Sequence, residues 1–173
     1  NLVTGNVREL GQWPAILDVV ASPSGRFAAA VDMAHAAHLI EAGKDPIALR
    51  KELLAKEPRQ LGVLNLAVEK AGPLPAGQTR GVAVHHSFSS YVAEVADVTV
   101  NADGTFKVER VVCAVDCGTV VNPDIVRSQM EGGIGYGLSA ILGEALTIKD
   151  GAPVQSNFYD YTPLRMAQMP KIE

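Results

Sequence analysis

The stretch from Cys113 to Gly143, CAVDCGTVVNPDIVRSQMEGGIGYGLSAILG, places the strongest constraint on what this chain can become. It reads as a buried strand, a tight turn over Asp116 to Gly118, and a helix entered through Asn122-Pro123-Asp124. Asn122 suits the capping of the first free amides, Pro123 the first helical position, and Asp124 the positive end of the helix dipole. Gly132, Gly133, Gly135 and Gly137 then fall inside the helix, each costing roughly 1 kcal/mol relative to alanine. At about 100 degrees per residue, Gln129, Gly133 and Gly137 share one side, and Val126, Met130, Ile134, Leu138 and Ile141 form an adjoining apolar stripe that faces a core. The glycine side leaves bare backbone beneath an amide side chain. Another helix can pack closely there, and so can a flat ligand.

With 173 residues, 47% of them hydrophobic and 20% charged, the chain has room for one ordinary core or two small lobes. Fifteen basic against nineteen acidic side chains give a formal charge of -4. No basic cluster interleaved with aromatics suggests a nucleic-acid partner. No run of about 18 apolar residues marks a membrane span, and NLVTGNVREL lacks the pattern of a signal peptide, so the compartment stays open. Cys113 and Cys117 stand four apart across a strand end with no second pair to complete a zinc site, and read as small buried side chains.

The expected class is α+β. Residues 1–26 are irregular, with one short strand over Ile16 to Val20. Residues 27–72 form a helical part: FAAAVDMAHAAHLIEA from Phe27, a restart at Asp45-Pro46, and a further helix after Glu57-Pro58. Residues 73–81, rich in proline and glycine, connect it to an α+β part over residues 82–173. There, YVAEVADVTV and TFKVERVVCAVD flank the turn NADG as a hairpin. A second hairpin turns at Lys149-Asp150-Gly151, and the tail from Asp160 reads as irregular.

No nucleophile elbow, zinc-protease motif or phosphate loop is present, and GGIGYG lies within a helix rather than between a strand and a helix start. Among polar residues near the long helix, Asp116 and Asn122 suit hydrogen bonding to local backbone. Glu131 is a further candidate. Gln129, offering donors and an acceptor without charge, suits a polar heterocycle or an oxo group. His85, His86, Ser87 and Ser89 form a second polar cluster. Asp32, His35 and His38 have a spacing a metal could use, though histidines on the wetter side of an alanine-rich helix need none.

RGVAVHHSFSSYVAEVADVTV, VERVVCAVDCGTVVNPDIVRSQMEGGIGYGLSA and QSNFYDYTPLRMAQMP closely resemble the large subunit of molybdenum hydroxylases, the xanthine dehydrogenase and aldehyde oxidase family. The resemblance is strongest to its isoquinoline 1-oxidoreductase (beta-subunit) and aldehyde dehydrogenase branch, and covers roughly Gly43 to Glu173. It implies a fragment of a longer subunit that holds a molybdopterin cytosine dinucleotide and oxidises aldehydes or N-heterocycles with water as the oxygen source. It also implies a small partner subunit with [2Fe-2S] clusters, in some relatives followed by a cytochrome. Gln129, Gly132 and Gly133 match the family's motif beside the cofactor, and Gly137 extends their face.

Two departures accompany the match. The family's general-base glutamate lies in a Gly-x-Gly-Glu segment beyond this sequence, and Glu173 has no such glycines before it. Asp18 stands where a cofactor-approaching arginine is expected. The expectation is therefore a chain that is inactive and binds no cofactor alone, with no catalytic residue of its own. The alternative is a diverged, non-catalytic binding module of the same fold. Strands left without their neighbours would favour a dimer through exposed edges.

Overall fold

The computed structural model describes residues 18–21, 27–30 and 45–173, the first two stretches as backbone only. Its elements are β1 (Asp18–Ala21), β2 (Phe27–Ala30), α1 (Pro46–Leu53), α2 (Pro58–Ala71), β3 (Gln78–Ser87), β4 (Ser90–Val100), β5 (Phe106–Asp116), α3 (Pro123–Leu142), β6 (Ile148–Lys149), β7 (Ala152–Pro153) and β8 (Lys171–Ile172). This is an α+β architecture. It divides into a sheet unit, residues 1–119 with 170–173, and a helix unit, residues 120–169.

In the sheet unit the order is β3-β4-β5-β8, antiparallel except for the parallel edge strand β8. Register places Val82, Val95 and Val112 in one cross-strand row, with Ala93 and Ala114 opposite each other nearby. These side chains meet Val63, Leu64, Ala67 and Ala71 of α2 to form the core. Small residues on both surfaces let the helix lie close to the sheet.

Polar contacts fasten α2 at both ends. At its C-terminus the Arg80 guanidinium donates to Gly72 O at 2.6 Å, and Arg110 donates to Ala71 O at 2.9 Å and Lys70 O at 3.2 Å. Two cations thus meet carbonyls that have no partner within the helix. Asp97, 1% exposed, balances Arg80 through an ion pair at 2.7 Å, and Glu173 lies 3.8 Å from Arg110. At the other end Arg59 grips Asp116 with two parallel bonds of 2.8 and 2.7 Å. Its guanidinium also lies 4.3 Å from the centroid of the Tyr91 ring, and His86 stacks on that ring at 4.2 Å and 5°.

Several expectations need correction. Phe27–Ala30 is extended and pairs with Asp18–Ala21 instead of opening a helix, because alanine's helix preference is weak enough for strand pairing to override. Ile16, Leu17 and the remainder of that expected helix, with Asp32, His35 and His38, lie outside the described residues. The 73–81 connection is shorter than expected: Gln78 already belongs to β3, and α2 on one side packs on strands from the other. His85, His86 and Ser87 are part of that unforeseen strand, and Ser89 lies in the turn after it. Phe88 and Ser89 form this turn with φ of 48° and 63°, a left-handed pair usually given to Asn-Gly. Each non-glycine residue there costs about 1–2 kcal/mol, which is why no turn was legible. Finally, the tail is not wholly irregular. Glu173 N donates to Val111 O at 3.0 Å and Cys113 N to Glu173 O at 2.8 Å, which secures β8 to β5.

Candidate functional site: the glycine flank of α3

The N-terminus of α3 forms as its sequence dictates. Asn122 Oδ1 accepts from Asp124 N at 3.0 Å and Ile125 N at 3.4 Å, with Pro123 at the first position and Asp124 in the first turn. Ile134 and Leu138 are buried, and Val126, Met130 and Ile141 are half-buried along the same stripe.

The glycines fall into two sets with different jobs. Gly132, Gly133 and Gly137 are exposed, and a Cβ added to any of them would meet nothing within 4 Å. Gln129 is exposed at the head of this face. By helical spacing two exposed large side chains share its side: Ile125 at 60% and Tyr136 at 83%. The result is a strip of naked backbone with one amide and apolar walls, all presented outward.

Gly135 and Gly143 serve the chain itself. A Cβ on Gly135 would lie 3.5 Å from the Met169 sulfur, and one on Gly143 only 2.8 Å from Thr162 O. Between them in the same row of the helix, Ser139 is buried and its hydroxyl accepts from Leu164 N at 2.8 Å while donating to Glu144. Tyr161 donates to the other oxygen of Glu144 at 2.7 Å. The segment 161–169 therefore runs back along α3 as a strap, held where the helix is smallest. Hydrogen bonds from Ser139 and then Tyr161 hold the Glu144 carboxyl below its usual range, and the Glu144 bond raises the Tyr161 hydroxyl. The sequence reading missed this second set. Its signal was the i, i+4 spacing of Gly135, Ser139 and Gly143, which was hidden among the other glycines.

The remaining sequence candidates are dispersed. Asp116 accepts from Gly118 N at 3.1 Å as a local turn group, yet its principal partner is Arg59, far away in sequence; that pairing holds its carboxyl down at about 2. Glu131 is half-buried on α3. His85, His86, Ser87 and Ser89 belong to the sheet unit, whereas the glycine flank belongs to the helix unit. Asp18 is in β1 opposite Ala30. Cys113 and Cys117 are free, and burial, with the nearby Glu94 charge, pushes the Cys113 thiol up to about 12, unsuited to nucleophilic work at neutral pH. Among the described residues no group of three or more His, Cys, Asp or Glu is placed to hold a metal. No described helix is long and apolar enough to cross a membrane.

The model of the molybdopterin cofactor-binding domain matches residues 29–170, most of the chain. The chain belongs to this family. Among its relatives, this molybdopterin cofactor-binding domain is 39% identical over 135 residues to the beta chain of the isoquinoline 1-oxidoreductase of Brevundimonas diminuta, an alignment covering 74% of this chain and 17% of the relative. It is 32% identical over 153 residues to the membrane-bound aldehyde dehydrogenase (pyrroloquinoline-quinone) of Gluconacetobacter polyoxogenes, covering 75% and 20%. It is 28% identical over 153 residues to a nicotinate dehydrogenase subunit of Pseudomonas putida, covering 76% and 13%. The domain thus spans a fifth or less of the length of these relatives.

Proposed function

We propose that this domain is part of the molybdopterin-binding subunit of an oxidoreductase that hydroxylates aldehydes or N-heteroaromatic compounds, with water as the oxygen source. The observation that carries the reading is the outward strip of α3, where Gly132, Gly133 and Gly137 have open space above their backbone and Gln129 stands exposed beside them. Such a strip fits a flat, polar-edged pterin. Glycine allows approach to the helix backbone that any side chain would obstruct, and an uncharged amide can both donate to and accept from the ring edge. Ile125 and Tyr136 supply apolar walls that would exclude water from the same face.

Within this reading Gln129 orients the cofactor, the three glycines set its distance, and the strap from Tyr161 to Met169 stiffens α3 from its other side. When bound, the molybdenum centre supplies the two-electron oxidation of an electron-poor carbon. No residue of this chain is assigned to acid-base catalysis. The cytosine dinucleotide form of the cofactor, a [2Fe-2S] partner subunit and a cytochrome acceptor belong to the same proposal, supported by the resemblance in the QMEGG region and by the names of relatives that are themselves subunits.

The test uses the intact polypeptide carrying Gly133→Leu or Gln129→Ala, purified and assayed for molybdenum by mass spectrometry and for pterin by fluorescence after oxidation. The expected result is loss of most molybdenum and pterin in the leucine variant and a partial loss in the alanine variant, with unchanged far-UV circular dichroism. Full cofactor content in Gly133→Leu would overturn the assignment.

A further inference from the structure

The β3–β4 turn carries a phenylalanine where water and backbone both disfavour it. Phe88 is 100% exposed, and it and Ser89 take left-handed φ of 48° and 63° without being glycine or asparagine. An ordinary hairpin relieves both problems with Asn-Gly. Strain kept at one position points to a use for the side chain held there.

The stem beneath the turn is rigid. Ser87 pairs with Ser90, His86 pairs with Tyr91 and stacks on its ring, and Arg59 lies against that ring while gripping Asp116 on the next strand. Three strands and a helix are thereby tied together within a few residues of the tip. Phe88 is presented as a fixed peg, with little ordering left to lose on contact. Its immediate neighbours, Ser87, Ser89 and Ser90, are small and uncharged. That favours an apolar socket over an acidic peptide or a polyanion.

We propose that Phe88 inserts into an apolar pocket formed by a further part of the same polypeptide. Alignments of 135 and 153 residues account for only 17% and 20% of two relatives, so a subunit of that size has most of its residues beyond the matched region. Among the described residues nothing covers Phe88, and its socket is assigned to that further part. The inference does not depend on which cofactor or substrate the helix unit serves.

The decisive experiment places p-benzoylphenylalanine at position 88 of the intact polypeptide, irradiates it, and maps the crosslinked peptides. The expected product keeps the mass of a single polypeptide on a denaturing gel and joins position 88 to residues beyond these 173. A crosslink within the 173, to a second copy or to another subunit, or no crosslink, would overturn the proposal. A second measurement replaces the strained pair by the preferred one, F88N with S89G. If the peg is seated, the intact protein's melting temperature falls by several degrees; a rise or no change, as for a turn that stands in water, sinks the idea.

Discussion

Asp97 shows how much one buried charge can decide. It is 1% exposed, lies between Arg80 and Arg110 across the strands, and compensates the Arg80 guanidinium that meets the carbonyl just past α2, while Arg110 has Glu173 at 3.8 Å. Asp97→Asn would leave the largely buried Arg80 guanidinium without its counter-charge, and a loss of about 3–5 kcal/mol is expected in urea unfolding. Adding Arg80→Met should recover part of it. Glu94 acts in the opposite sense. It alternates with the core residues Ala93 and Val95, sits opposite Cys113 on the sheet, and burial raises its carboxyl. A carboxyl raised on folding stabilises the folded state below its unfolded value, near 4.3, and that contribution is lost as pH rises through the folded value. Glu94→Gln is therefore expected to raise the urea midpoint at pH 8 relative to wild type and to flatten the decline between pH 4 and 8. For Asp116 the sign reverses. The Arg59 pairing lowers its carboxyl to about 2, so its contribution is present above about 4 and disappears as pH falls toward 2. Asp116→Asn should remove that part of the acid transition.

At the scale of an element, α3 separates two reasons for glycine that look alike in sequence. Gly132→Ala enters open space and replaces a poor helix former, so stability should rise by up to about 1 kcal/mol in thermal melts, whatever happens to ligand binding. Gly143→Ala instead drives a methyl to within 2.8 Å of Thr162 O, and a loss of about 1–3 kcal/mol is expected as the strap is displaced. The sequence did reveal the N-cap at Asn122, the apolar stripe from Val126 to Ile141, and the β4–β5 hairpin, because each depends on local spacing or local turn chemistry. It did not reveal β3 or β8. Val82 and Val84 alternate, but the turn that follows them uses Phe-Ser, and strand signals are found by their turns. Lys171–Ile172 is too short to carry a periodicity, and only the partner strand makes it a strand. The difference between Gly132 and Gly143 was likewise invisible, since it depends on where residues 161–169 return.

For the molecule as a whole, the proposed function predicts that the isolated 173-residue chain binds far less than one molybdenum per chain, measured by metal analysis after cofactor loading. A stoichiometric metal content would show the glycine flank to be sufficient by itself. The helix unit has few buried side chains, among them Ile134, Leu138 and Ser139, and many large exposed apolar ones, including Leu146, Ile148, Phe158, Tyr159 and Met166. Under the proposed function these side chains are the surface that the remainder of the subunit would cover.

The parallel edge strand β8 has a topological consequence. Residues 120–169 leave from the end of β5 and the chain comes back to pair with the flank of β5, so both feet of the excursion stand on one strand. Parallel neighbours require such a crossover, and the entropy of closing it grows by only about 0.6 kcal/mol for each doubling of length. The sheet can therefore tolerate a longer, shorter or differently furnished arch between its feet, which leaves evolution free to remodel the glycine-bearing span without disturbing the foundation.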